Sequence, residues 1–87
     1  MANHPSAEKR HRQSVKRAAR NQAIRSRVRT AVKKLRGTVA GGDAEQAKSM
    51  LPKVASTLDK AVSKGVLHKN AAARRISRLA KQVAKLG

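Results

Sequence analysis

The chain of 87 residues contains no Phe, Tyr or Trp and no Cys, and only 4 of its residues are acidic. Each absence closes off a class of function. Without aromatics, a core must be assembled from Val, Leu, Ile, Met and Ala, whose larger members contribute about 1.5 to 3 kcal/mol each on full burial. A chain this short also buries only about 60 to 65% of its unfolded surface, so a single domain with a thin core is expected. Without cysteine there is no disulfide and no thiolate chemistry, and a zinc site would have to be built from three scattered histidines and a few acids. The acids are not paired, the serines have no adjacent His and acid partners, and no glycine-rich phosphate loop is present. The expectation is a protein that is not an enzyme and needs no cofactor and no metal. No apolar run approaches the roughly 18 residues of a membrane span, and no signal-peptide core follows the N-terminus. The reading is a soluble protein of the cytoplasm with no membrane partner.

What the chain does have is positive charge, with 22 Lys and Arg and a formal net charge of +18. Self-repulsion of that size opposes compaction unless a partner supplies negative charge. Its distribution is uneven. Residues 1–36 hold 12 Lys/Arg and one acid, residues 37–64 hold 4 and 3, and residues 65–87 hold 6 and none. A disordered basic tail needs no neutral middle, whereas a bundle with one element turned away from a polyanion produces one.

Three helical patterns cover nearly the whole sequence, with no β pattern and no internal repeat. In the last, over about residues 70–86, Ile76, Leu79, Ala80, Val83 and Leu86 recur at three and four residues, with Arg74, Arg78, Lys81 and Lys85 opposite them. Asn70 is the expected N-cap. The second, over about residues 43–64, carries the stripe Ala47, Met50, Leu51, Val54, Leu58, Ala61 and Val62. Asp43 and Gln46 form a capping box in front of it, and Gly65 closes it. Pro52 lies inside, where it removes a backbone hydrogen bond, so a kink or break is expected between Lys48 and Pro52. The first helix is expected from about Ser6, as its cap, to Ala40, where Gly41 and Gly42 end it. Its rear half is amphipathic, with Ile24, Val28, Ala31, Val32 and Leu35 on one arc. Stepping back from Ile24 by sevens reaches Arg17 and Arg10, so the same stripe is cationic in front. That half cannot enter a core and must overhang the bundle. The fold class is all-α, a three-helix bundle with a long, overhanging N-terminal helix.

The cations nominate the site. On the first helix they are Lys9, Arg10, Arg12, Lys16, Arg17, Arg20, Arg25, Arg27, Arg29, Lys33 and Lys34; on the last, Arg74, Arg75 and Arg78. The turn between them holds His68, Lys69 and Asn70. His68 is a loop histidine bonded to a local carbonyl, a contact to the polyanion together with its two neighbours or, least favoured, a metal or catalytic group. Val66 and Leu67 are expected to tuck under that turn. Nucleic acid is the matching polyanion. With no aromatic platform for stacking bases, recognition falls to phosphate and sugar contacts, which suits a folded RNA or a duplex read by shape.

The segments ANHPSAEKR, RSRVRTAVKK, LDKAVSKG and above all GVLHKNAAARR resemble the S-twenty family of bacterial small-subunit ribosomal proteins, across the whole chain. The resemblance implies a structural constituent of the small ribosomal subunit. Such a protein binds the small-subunit ribosomal RNA directly among several RNA helices and stabilises its folding during assembly. It also implies a monomer within the ribosome with few or no protein contacts, and an RNA-facing turn at His68, Lys69 and Asn70. The rival readings are three. A nucleoid or linker-histone-like DNA binder shares the charge but usually carries low-complexity repeats. A membrane-surface helix would need interfacial Trp or Phe. An Arg-rich transit peptide would keep apolar the face that is cationic here.

Overall fold

A computed structural model describes the backbone of residues 4–87 and the side chains from residue 7 onward. Three helices follow one another: α1 (His4–Ala40), α2 (Ala44–Ser63) and α3 (Lys69–Leu86). α1 and α2 form an antiparallel hairpin, and α3 returns along α2, touching α1 less extensively. Among the described residues there is no strand.

The apolar stripes meet in one core. Val28, Val32 and Leu35 enter it from α1, Ala47, Val54, Leu58 and Ala61 from α2, and Ala72, Leu79 and Val83 from α3. Leu35, Leu58 and Leu79, one from each helix, are its largest fully buried side chains. No described polar or charged residue is buried. Ile24, Ala31, Val62, Ile76 and Leu86 pack around the edge, and Val66 and Leu67 cover the end at the α2–α3 turn.

Forward of Ile24 the core stops. Every described residue from Ala7 to Ala23 is exposed except the half-buried Asn21, and Val15 keeps 55% of its surface in solvent. The molecule measures 65 × 21 × 14 Å with a radius of gyration of 17.7 Å. A compact domain of this length would have a radius of about 12 Å. The excess is the overhang of α1, whose length at 1.5 Å per residue is about 55 Å.

Both turns end their helices in the same way. Gly42 (φ 79°) and Gly65 (φ 76°) take the left-handed conformation that lets the chain reverse. After α1, the Gly42 N–H donates to the Val39 carbonyl at 3.0 Å and the Asp43 N–H to the Thr38 carbonyl at 3.3 Å. After α2, the Gly65 N–H donates to Val62 at 2.9 Å and the Val66 N–H to Ala61 at 2.9 Å. This is the paired bonding of the Schellman motif, which satisfies carbonyls that a helix end otherwise leaves open. It also delivers Val66 onto the core edge.

Four expectations change at the helix ends and at Pro52. α1 already runs at His4, so Ser6 is inside its first turn and does not cap it; the Ser6 side chain lies outside the described residues. The Asp43 carboxylate accepts from the Gln46 N–H at 3.1 Å, but only this half of the capping box forms, because the Asp43 N–H is engaged by Thr38 in the preceding turn. α2 continues without a break through Pro52. The expected break therefore does not occur, and Pro52 sits at an exposed position of the continuous helix.

The fourth correction is the cap of α3, which is His68 and not Asn70. The turn ends with the Leu67 N–H donating to Ala61 at 3.3 Å. The next residue, His68, is extended (φ −75°, ψ 141°), as an N-cap must be, and α3 starts at Lys69. Asn70 therefore falls two residues inside the boundary. Its backbone N–H donates to the His68 Nδ1 at 3.1 Å. A backbone N–H only donates, so Nδ1 carries the lone pair and Nε2 is the nitrogen left for an outside partner.

Thermal melts test these end assignments. His68→Ala removes the capping acceptor and is expected to cost about 0.5 to 2 kcal/mol, His68→Asn to restore most of it, and Asn70→Ala to change little. Gly37 is exposed in the interior of α1, and a Cβ built there meets nothing within 4 Å. Gly37→Ala should therefore stabilise by about 0.5 to 1 kcal/mol, while Gly65→Ala, forced to a positive φ, should destabilise.

Candidate nucleic-acid interface

All the cations nominated from the sequence are exposed. The structure divides them into an overhang, two grooves and a turn. Six of them, Lys9, Arg10, Arg12, Lys16, Arg17 and Arg20, lie on the part of α1 that has left the bundle. At roughly 100° per residue they span about 160° of the helix surface, including the arc that the core stripe occupies behind Ile24. Arg20 donates to the Asn21 side chain at 3.5 Å, a long contact between two exposed neighbours.

Behind Ile24, the core stripe takes one arc of α1 and pushes the cations to its two flanks. On one flank an open groove of about 710 Å³ runs between α1 and α3. Arg25, Arg29, Lys33 and Arg36 line it from α1, at spacings of four, four and three residues, so they share one side of that helix. Arg75 and Arg78 face them from α3, and Val28, Val32, Leu67 and Leu79 form the apolar floor. The lining contains no acid. Six cations along two helices held by one core make a fixed cradle for a chain of phosphates. Arginine supplies five of the six, with a planar fork that fits phosphate oxygens two at a time.

On the other flank, a groove of about 650 Å³ separates α1 from α2. Arg27 and Lys34 line it from α1, Lys53 and Lys60 from α2 and Lys64 from the cap that follows α2, again without an acid. The third junction, between α2 and α3, differs. Its hollow is lined by Asp59 and Lys69 with Val62, Ala72, Ala73, Ile76 and Ser77, so charges balance there. The neutral face of the molecule is thus the α2–α3 side.

The structure brings Arg25, Arg29, Lys33, Arg75 and Arg78 together in one groove, with Arg36 added, and places Arg27 and Lys34 in the other. Lys69 sits at the α2–α3 hollow, and Arg74 is exposed on α3 outside both basic grooves. At the turn, His68 and Asn70 are exposed and bonded to each other through Nδ1 and the backbone N–H. The residues that sequence reasoning missed are the lysines of α2 and its cap. Lys53, Lys60 and Lys64 are seven and four residues apart, which places them within about 40° of one another around a helix, and Asp59 about 120° away. The signal was present, but the balanced total charge of residues 37–64 concealed its one-sided arrangement. Among the described residues, no group of three His, Asp or Glu side chains is placed to hold a metal ion.

The overhang has no packing to hold it once charge repulsion is added, and an isolated helical segment of this length is marginal in water. Hydrogen exchange on the free protein should show little protection of amides from Lys9 to Ala23 and clear protection from Val28 onward. Uniform strong protection along all of α1 would contradict this.

Comparison with known proteins agrees with the geometry. Residues 2–84 match the family model described as Ribosomal protein S20. The chain is 58% identical to the small ribosomal subunit protein bS20 of Oleidesulfovibrio alaskensis over 83 residues, 95% of each chain. It is 58% identical to that of an Anaeromyxobacter species (strain K) over 85 residues, 98% of this chain and 93% of the other. With the bS20 protein of Maridesulfovibrio salexigens it shares 54% over 86 residues, 99% of both chains. These relatives are structural ribosomal proteins and not enzymes. The chain, with its three helices and long N-terminal overhang, belongs to the ribosomal protein S20 family of the small ribosomal subunit.

Proposed function

We propose that the chain binds small-subunit ribosomal RNA directly, by neutralising phosphates and fitting the shape of the folded RNA, and that it stabilises that fold during assembly of the subunit. The observation that carries this reading is the groove between α1 and α3, where six cations from two helices converge with no acid among them. Repulsion within such a cluster is relieved by a polyanion. Base stacking on aromatics is excluded by composition, so contacts fall on phosphate and sugar. The overhang extends the same chemistry beyond the bundle, with cations over nearly half of its circumference for RNA to lie against.

In this reading the protein acts as a monomer within the ribosome, in the cytoplasm, with few or no protein contacts. No helix among the described residues is long and apolar enough to cross a membrane. Lys9, Arg10, Arg12, Lys16, Arg17 and Arg20 contact RNA from the overhang, and Arg25, Arg27, Arg29, Lys33, Lys34, Arg75 and Arg78 from the grooves. His68 donates from Nε2 to RNA while Nδ1 holds the cap, with Lys69, Asn70 and Arg74 beside it.

A salt titration tests the electrostatic part. With roughly 8 phosphates neutralised, log K against log salt should fall with a slope of about −6 to −7. A slope shallower than about −3 would contradict phosphate-dominated binding. Competition tests the partner: small-subunit ribosomal RNA should resist displacement by duplex DNA. Displacement with equal ease would instead favour a non-specific nucleoid or linker-histone-like protein.

A further inference from the structure

We propose that the groove between α1 and α2 docks an acidic amphipathic helix of a partner protein while the chain is free of RNA. The docking does not rest on the RNA-binding reading; only its release by RNA does.

The two basic grooves differ in their floors. In the α1–α3 groove Val28, Val32 and Leu79 are already buried, and only Leu67 is half-buried. In the α1–α2 groove Ile24, Ala31 and Met50 are all half-buried, with the buried Val54 among them. α3 packs on one side of the α1–α2 hairpin, and this groove is on the side left open, since no residue of α3 lines it. A chain of phosphates and sugars neutralises a cationic rim but brings no alkyl group to cover such a floor. An occupant that satisfies both is apolar along one stripe and acidic on either side of it.

The dimensions are those of a helix seat. Arg27 and Lys34 stand seven residues apart on α1, as do Lys53 and Lys60 on α2, with Lys64 four further on at the cap. Each row keeps to one side of its helix, so cations flank the floor on both edges. The floor and rim extend about 15 Å along α1, from Ile24 to Lys34, and about 21 Å from Met50 to Lys64. A guest helix of about three to four turns, packed about 8 to 10 Å from the axes of α1 and α2, seats apolar residues at i, i+4 and i+7 on that floor. Asp and Glu on its flanks then meet the two rows. Four of the five rim cations are lysines, whose alkyl stems cover apolar surface while the ammonium reaches a carboxylate.

None of the four acids of the chain lines the groove, so the counter-charge has to come from outside. Before RNA is bound, the formal charge of +18 draws such a guest in. Arg27 and Lys34 are also RNA contacts under the proposed function, so guest and RNA exclude one another at this groove.

The test uses the full chain, isotope-labelled and free of RNA, and a synthetic peptide of about 16 residues with Leu on one helical stripe and Glu beside it. The controls are a peptide of the same composition in scrambled order, and polyglutamate. The amphipathic peptide is expected to shift amide resonances within residues 24–34 and 50–64, to leave those of Arg75 and Arg78 in place, and to bind at least about tenfold more tightly than either control. Met50→Gln removes part of the floor without altering charge and should weaken peptide binding about threefold to tenfold. K53Q/K60Q/K64Q, in which every replaced side chain is exposed, should weaken it further and flatten its salt dependence. Circular dichroism verifies that each variant is folded, and the mapping on the wild-type chain needs no variant. Equal binding of the scrambled peptide would overturn the floor, and shifts confined to the α1–α3 groove would overturn the site. Wild-type affinity of both variants would overturn the docking altogether. Small-subunit ribosomal RNA, whose own binding is followed by filter retention, should release the peptide. Retention of the peptide on RNA-bound chain would overturn the exclusion, whereas absence of RNA binding would overturn the RNA reading and leave the docking in place.

Discussion

Repulsion among cations, set against an aliphatic core with no aromatic residue, is the constraint on which the arrangement depends. Every buried position must be spent on apolar contact, and no described polar or charged side chain is buried. Three helices can meet that demand only by turning their Leu and Val positions inward, as Leu35, Leu58 and Leu79 do. The cations are then displaced to the flanks of each stripe, where neighbouring helices bring flanks together into grooves. Positive grooves are therefore a by-product of burying the core. One acid decides which junction escapes: Asp59 goes to the α2–α3 side and leaves that side balanced. Function is written in this partition more than in any single residue.

The turns keep the partition in register. Gly42 and Gly65 each allow a reversal that closes its helix with two backbone bonds, and the chain emerges already capping the next helix. Asp43 serves both ends of its turn: its N–H closes α1, and its carboxylate opens α2. His68 does the corresponding work for α3. Because helices are joined so tightly, rotation of one about its axis is restricted, and the rows Arg25–Arg36 and Arg75–Arg78 stay opposed across their groove. A looser connection would leave the same charges without a fixed spacing to offer a phosphate chain.

Most of this was legible in the sequence, because periodicity reports which face of a helix is apolar. The three stripes became the core, and the replacement of Ile24 by Arg17 and Arg10 along one stripe located where α1 leaves it. What was not legible depended on bonds between neighbouring backbones. Asn70 is a better capping residue than histidine in general, yet the Schellman turn ends at Leu67 and puts His68 at the boundary. Gln46 matched a capping box, but the Asp43 N–H had another partner. Pro52 carried a rule about helix interiors, yet the break it suggested does not occur: α2 runs on through it at an exposed position. The lysines of α2 and its cap were hidden for a different reason. Net charge sums over a segment, while a binding surface depends on angle around the helix, and Asp59 cancels the row in the sum without lying on its side.

The length of α1 follows from the same balance. A segment with no apolar stripe gains nothing by folding back on the bundle, where it would add like charge to grooves that already lack counter-ions. Extending straight outward keeps the added cations farthest from the rest, at the cost of leaving roughly half of α1 without packing. That half consequently has little intrinsic stability, and a polyanion that encloses it supplies stabilisation that the bundle does not. Ordering of the overhang and neutralisation of its charge are then one event, and it begins where the core ends, at Ile24. The bundle behind Ile24 fixes position and direction, and under the proposed function the RNA completes the helix in front of it.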